Sequence, residues 1–168
     1  MAVGAGPVSP SIYNYSVLKA TTTFNGVALG NCTEIEMSPE NESLDHQSSM
    51  SGLKFVDRTV SISRKLSIRV VMDEWSDHNV RLAVMGPETG AINIYSEPER
   101  EGDLVIIGTN AVGQKYTWTL ASVSFIPSGS INLISEEWAT MEITGTVNAV
   151  GGIFGTVART GGEEEPGP

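Results

Sequence analysis

The chain has 168 residues and a formal net charge of −10, with 20 acidic side chains against 10 basic ones. Tight nucleic-acid binding needs clustered Lys and Arg to release counterions from phosphates, and the absence of such a cluster argues against that role. The length suits one domain with its own core. We expect an N-terminal arm over residues 1–14, a single domain over 15–158 and an acidic tail over 159–168.

The only cysteine, Cys32, has no partner for a disulfide within the chain, which favours a reducing compartment or a fold that needs no disulfide. The N-terminus lacks a basic stretch followed by an apolar run, so no signal peptide is predicted. No apolar segment approaches the ~20 residues that span a bilayer. The chain is therefore expected to be made as a soluble cytoplasmic protein that does not contact a membrane.

The first predicted elements form a β-hairpin. From Ser16 to Phe24 every second residue is predicted to lie on the same face of a strand, and the pair Asn25-Gly26 follows. This pair accepts the positive φ angles of a two-residue turn and is the strongest short hairpin signal. A second strand is predicted to return from Val27 to Met37.

A polar segment comes next, from Ser38 to Gly52, and it predicts a long polar loop. It precedes the clearest periodic pattern in the chain. Between Val60 and Met72 the even positions are apolar, apart from Arg64, and the odd positions are polar, apart from Val71. This period of two predicts a strand of ~43 Å, longer than the strands of a compact sandwich usually are.

One short helix is predicted over about residues 77–85. Ser76 is a suitable N-cap, Asp77 complements the helix dipole, and Gly86-Pro87 supplies the stop. A helix this short is expected to cover one face or edge of a sheet.

The remaining chain is predicted to form further strands, with a bulge near Ala121-Ser122 where the apolar phase shifts. These strands are expected at Ala91–Tyr95, Leu104–Ile107, Gln114–Ile126, Trp138–Val150 and around Ile153–Val157.

No catalytic or cofactor motif is present: the nucleophile elbow, the Walker-type loop, His-Glu-x-x-His and Cys-x-x-Cys are all missing. His46 and His78 lack partners at zinc-ligand spacing, and Glu40, Glu42 and Asp45 lack the spacing of a calcium loop. We therefore predict no enzyme activity, no catalytic residue, no metal site and no cofactor.

Four segments together carry a family resemblance. Residues 44–54 read Leu-Asp-His-Gln-Ser-Ser-Met-Ser-Gly-Leu-Lys, and residues 57–60 read Asp-Arg-Thr-Val. Residues 72–75 read Met-Asp-Glu-Trp, and residues 79–86 read Asn-Val-Arg-Leu-Ala-Val-Met-Gly. They resemble the tail tube (major tail) protein family of long-tailed bacteriophages, many of whose members share an Asp-His-x-Ser-x-x-Ser-Gly loop, a long strand, an acidic–aromatic pair and a helix beginning Asn-x-x-Leu-Ala. The resemblance covers about residues 15–90. Met50 departs from the pattern, since Arg is common there.

The resemblance implies a mainly β sandwich or barrel that assembles into hexameric rings with a continuous inner β-barrel. Such rings stack into a hollow virion tail tube through which the genome passes into the host. The implied partners are copies of the chain itself, together with the tape measure, tail terminator and distal tail proteins, while DNA passes without specific binding.

Two sets of site residues follow from combining the pattern with the resemblance. Residues 38–57 are expected to be the main contact between rings or neighbouring subunits. The lumen is expected along the polar side of the strand after Trp138, because the polar side of the long strand carries Lys65 and Arg69. The interface residues are Leu44, Asp45, His46, Ser48, Ser49, Met50, Gly52 and Lys54, and the lumen residues are Thr140, Glu142, Thr144 and Thr146.

Two alternatives remain open at this stage. The chain could be a carbohydrate- or surface-binding β-sandwich module that works as a monomer. It could also be a related virion protein of the same fold, such as a baseplate or connector component or the tube of a contractile tail.

Overall fold

The computed structural model describes residues 18–109 and 114–160. The expected N-terminal arm lies outside the described residues, as does most of the expected acidic tail. Among the described residues there are eight strands and one helix: β1 (Ala20–Phe24), β2 (Val27–Ala28), β3 (Cys32–Ser48), β4 (Phe55–Met72), α1 (Asp77–Ala83), β5 (Arg100–Gly108), β6 (Lys115–Ile126), β7 (Met141–Val147) and β8 (Thr156–Thr160).

The strands form one antiparallel sheet in the order β2-β1-β5-β6-β7-β4-β3, and β8 pairs with β6. The sheet is not closed, because β2 and β3 end the row. The predicted mainly β class with one short helix is therefore confirmed.

The hairpin at Asn25-Gly26 is confirmed, but its second strand is shorter than predicted. Phe24 pairs with Val27, and the two turn residues have φ angles of 51° and 77°. The strand stops after Ala28 because Gly30 adopts a φ of 69°, and the chain resumes as β3 at Cys32.

The predicted polar loop over residues 38–52 is wrong for most of its length. Strand β3 continues to Ser48, so the loop between β3 and β4 is confined to residues 49–54. The apolar side chains show no period-two alternation here, because neither side of this part of the strand is buried. Pro39 is tolerated because β3 lies at the sheet edge, where one row of backbone groups needs no partner.

The long strand is confirmed and extends further than its pattern predicted. Strand β4 has 18 residues, beginning at Phe55 rather than Val60. Only its second half is alternately buried, because that half alone lies between β3 and β7.

The helix begins as predicted and ends two residues early. The backbone N–H of Asn79 donates to Ser76 Oγ at 3.2 Å, which is the expected N-cap. The helix ends at Ala83, and Met85 rather than Gly86 takes the left-handed conformation, with a φ of 48°.

The later strands are confirmed in part. The segment Ala91–Tyr95 is an irregular loop rather than a strand, and Tyr95 has a φ of 53° and donates its N–H to the Val84 carbonyl at 2.7 Å. The bulge in β6 is confirmed, because Gly102 pairs with Val123 while Leu104 pairs with Leu120, which leaves one extra residue on β6.

One hydrophobic cluster holds the sheet and the helix together. At its centre the rings of Phe24 and Phe125 pack edge to face with centroids 5.1 Å apart. Strand β4 contributes Ile68, Val70 and Met72, while β7, β5 and α1 add further fully or nearly fully buried side chains, among them Met141, Ile143, Leu104 and Leu82.

We expect Phe125→Ala to lower the free energy of unfolding by about 3–5 kcal/mol, because it removes a fully buried ring and leaves a cavity. The matched control is Phe55→Ala, since Phe55 is 56% exposed and should cost the monomer less than about 0.5 kcal/mol. Urea unfolding monitored by circular dichroism measures both. Equal losses would contradict the assignment of the core.

Candidate assembly surfaces

The outer part of the β3–β4 hairpin projects from the rest of the sheet. The pair Leu66–Val147 is the last between β4 and β7, so β4 before this point pairs only with β3. We call the segment of residues 40–65 the arm; it is distinct from the N-terminal arm expected over residues 1–14. All its residues are exposed except Ser48, which is half-buried.

Side-chain hydrogen bonds within the arm help to hold its two strands in register. Thr59 Oγ1 donates to Asp45 Oδ1 at 2.7 Å, and His46 Nδ1 lies 2.6 Å from Asp57 Oδ1. Closer to the sheet, Ser63 Oγ donates to Glu42 Oε2 at 3.1 Å. An isolated two-stranded hairpin is marginally stable in water. The arm therefore has little stability of its own beyond what its root provides.

Both long edges of the arm are unpaired among the described residues. Strand β3 ends the row of strands, and the other side of β4 has no pairing partner before Leu66. Unpaired edges of this length are templates for another strand.

Large apolar side chains lie exposed along the same segment. Sheets that remain in water normally keep such side chains on a covered face. On the arm they are at least 45% exposed: Leu44, Met50, Leu53, Phe55, Val56, Val60 and Ile62.

The structure brings all the predicted interface residues together on the arm, although not as one loop. Leu44, Asp45, His46 and Ser48 lie on β3. Ser49, Met50, Gly52 and Lys54 form the connection, where Gly52 has a φ of 82°. Their contact with a neighbouring subunit stays a prediction.

A second surface is the polar side of the sheet at β3, β4 and β7. Paired residues of neighbouring strands share a side of the sheet. Glu36 pairs with Arg69, which pairs with Thr144, and Ser67 pairs with Thr146 in the next row. We call this surface the acidic face. It carries five glutamates and two basic residues: Glu34, Glu36, Glu40, Glu42, Glu142, Lys65 and Arg69.

Arg69 joins the three strands of the acidic face. Its guanidinium lies 2.7 Å from Glu34 Oε1 on one side and 3.0 Å from Glu142 Oε2 on the other. The hydrogen bond from Arg69 lowers the pKa of Glu142, and the same bond raises the pKa of Arg69. The pair lies half-buried, so water screens it in part.

The predicted distinction between the two polar sides is wrong. Glu142, Thr144 and Thr146 lie on the same side as Lys65 and Arg69, because β7 pairs directly with β4. Thr140 precedes β7 and is exposed.

Sequence reasoning missed the glutamates of β3. Glu34, Glu36, Glu40 and Glu42 all occupy even positions, a period-two pattern that places them on one side of a strand. The pattern becomes a single face only because residues 38–48 are a strand rather than the predicted loop.

No arrangement suited to catalysis is evident among the described residues. These residues contain no group of three His, Cys, Asp or Glu side chains able to hold a metal ion. Burial, aided by Asp73 and Glu74, raises the pKa of the Cys32 thiol, which disfavours a reactive thiolate.

At the root of the arm, an open cleft of about 370 Å³ is lined by Pro39, Leu66 and Phe154, among others.

Within the described part of the chain, the single helix α1 has only seven residues, and no helix there is long and apolar enough to cross a bilayer.

Comparisons with known proteins add the following. A family model described as "Protein of unknown function" matches residues 12–91, just under half of the chain. No curated protein matches the sequence.

Two solved structures share the fold over nearly their whole length. One is the anti-feeding prophage cap, described as the tube-terminating cap, with a TM-score of 0.54 and 16% identity over 95% of this chain and 99% of that one. The other is the sheath/tube terminator, in the extended state, of an extracellular contractile injection system, PVC; its TM-score is 0.51 and its identity 12% over 94% of this chain and 100% of that one. The chain therefore has the fold of cap and terminator proteins of phage-tail-like particles.

We expect Glu142→Gln to lower the thermal midpoint at about pH 7 by roughly 1–3 °C, through loss of the ion pair with Arg69. Because the folded-state pKa of Glu142 is lowered, its contribution is present above the ordinary carboxyl pKa. That contribution is lost as the pH falls through the lowered value. At about pH 3 the difference from the wild type should therefore shrink.

The control for this measurement is Glu36→Gln, which removes a carboxylate from the same face. Glu36 forms no ion pair among the described residues, so we expect Glu36→Gln to lower the thermal midpoint at about pH 7 less than Glu142→Gln does. Equal losses from both variants at about pH 7 would contradict the role of the Arg69 bridge.

Proposed function

We propose that this protein is a ring-forming structural subunit of a phage-tail-like tube. The observation that carries the proposal is the arm, which among the described residues has two unpaired strand edges, exposed apolar side chains and no buried side chain. A hairpin of this kind is incomplete in a monomer, and another strand or surface completes it.

Copies of the same chain are the partner that the proposal requires. In a ring, the arm edge of one subunit pairs with the sheet of its neighbour, which extends the open sheet into a continuous inner β-barrel. Closing a sheet in this way removes its exposed edges. The resemblance to tail tube proteins over residues 15–90 supports six subunits per ring.

The acidic face is the surface that we assign to the lumen. Its glutamates exceed its basic residues, and Thr144 and Thr146 add small polar side chains. A net-negative wall repels phosphates, so DNA passes through without being held. The barrel would place one side of each strand inward, and the opposite side of β4 and β7 is already occupied by the hydrophobic cluster.

In this proposal the protein is not an enzyme and acts as part of the virion tail. It is made soluble in the host cytoplasm and works alongside the tape measure, tail terminator and distal tail proteins.

A second candidate is a cap that terminates such a tube. The shared fold with a tube-terminating cap and a sheath/tube terminator over nearly the whole of both chains favours it. The two candidates differ in one property: a tube subunit stacks on copies of itself, whereas a cap forms one ring and stops.

To test the arm, residues 43–62 are replaced by Asn-Gly, which leaves Glu42 paired with Ser63 across a two-residue turn. We expect a folded monomer with the stability of the wild type, because none of the removed residues is buried. Ring formation should be lost. Light scattering coupled to size exclusion and negative-stain microscopy at high concentration measure both. Rings of normal size from the shortened chain would overturn the proposal.

The lumen assignment is tested by Glu36→Lys combined with Glu40→Lys. Assembled wild-type protein should not retain linear DNA. The variant should retain it about tenfold more strongly or better, with an affinity that falls as salt rises. The matched control, Glu88→Lys with Glu99→Lys, makes the same charge change at exposed positions outside the acidic face. Equal DNA retention by both variants would contradict the assignment.

A further inference from the structure

The two ends of the sheet carry separate exposed apolar patches. Strands β4 and β6 run in the same direction, because each pairs antiparallel with β7. The connection before β4 therefore lies at one end of the sheet, and the β6–β7 connection lies at the other. The length of β4 separates these ends by roughly 56 Å.

The first patch lies at the end of the arm, and we call it the tip patch. Met50, at 98% exposure, Leu53 and Phe55 are its apolar members. Lys54 and Arg58 are exposed beside them, and the carboxylate next to Arg58, Asp57, lies 2.6 Å from His46 Nδ1. Neither cation forms an ion pair within residues 18–109 and 114–160.

The second patch lies in the β6–β7 connection, and we call it the loop patch. Leu133, Ile134 and Trp138 are 84%, 98% and 92% exposed. Glu136 and Glu137 lie exposed between them. The segment is anchored next to Trp138, because Trp75 Nε1 donates to the Ala139 carbonyl at 3.0 Å.

We propose that the tip patch of one copy docks on the loop patch of the next copy along the axis of the assembly. This inference rests on the proposed ring-forming function and names the surfaces through which rings would stack. The tip patch carries two cations and the loop patch carries two carboxylates, and both patches have exposed apolar side chains. A head-to-tail contact therefore brings opposite charges together around an apolar centre.

Charge selects the head-to-tail arrangement over the symmetric ones. Two tip patches in contact would oppose Lys54 and Arg58 with their own copies, and two loop patches would oppose Glu136 and Glu137 with theirs. Like charges at an interface are costly, and opposite charges favour the correct partner. Trp138 adds an aromatic face to which a Lys or Arg of the tip patch is attracted.

The arrangement bears on the choice between tube and cap. A head-to-tail contact that does not close on itself produces an open stack. A subunit with complementary patches at both ends can extend in both directions, whereas a terminating cap needs only one docking end. The loop patch therefore favours the tube subunit over the cap.

The experiment uses the full chain at high concentration. Ile134→Asp places a charge at the centre of the loop patch and should shorten the stacks about tenfold or more while single rings remain. The matched control is Ile94→Asp, at an isoleucine that is 80% exposed in the α1–β5 connection. It should leave stack length unchanged. Negative-stain microscopy counts rings per stack, and circular dichroism confirms that both variants fold.

A charge exchange tests the pairing directly. Lys54→Glu with Arg58→Glu should shorten the stacks, as should Glu136→Lys with Glu137→Lys, and the chain carrying all four changes should recover most of the length.

If wild-type protein stacks and Ile134→Asp stacks as well, the contact is wrong while ring formation stands. A wild-type chain that forms single rings without stacks overturns the contact and favours the cap. A wild-type chain that stays monomeric overturns the proposed function itself.

Discussion

Backbone pairing without burial is the constraint on which this structure depends. Strands β3 and β4 pair from Cys32–Met72 outward to Ser48–Phe55, but only the inner half of the hairpin packs on the core. The inner half is held by β7 and by the hydrophobic cluster, so the outer half keeps its direction as it leaves the sheet. Both edges of that outer half are unpaired within residues 18–109 and 114–160, and unpaired edges of this length are templates for another strand.

The same register builds the core and the acidic face. At β4, Ile68 and Val70 point into the cluster, while Ser67 and Arg69 point to the other side. A shift of one residue would exchange the two sides and bury the charges. The bridge from Arg69 to Glu34 and Glu142 crosses all three strands and favours the observed register. Packing on one side thus determines which carboxylates line up on the other.

The fold is shared with a tube-terminating cap and with a sheath/tube terminator, so fold alone does not separate a tube subunit from a cap. In the proposed stacking contact, the two roles differ at the ends of the sheet. The sheet has an exposed apolar patch at each end, with the cation Lys54 in one patch and the carboxylate Glu137 in the other. This arrangement suits a subunit that repeats along an axis.

The sequence by itself determined the elements whose signals are local or come from one-sided burial. These are the Asn25-Gly26 turn, the helix start at Ser76, the bulge in β6 and the inner half of β4. Only the tertiary structure decided that residues 38–48 are a strand, since a strand exposed on both sides has no alternation of apolar and polar side chains. It also decided that Glu142 and Arg69 share a face and that residues 49–54 and 127–140 lie at opposite ends, because strand order and register depend on contacts between residues far apart in the chain.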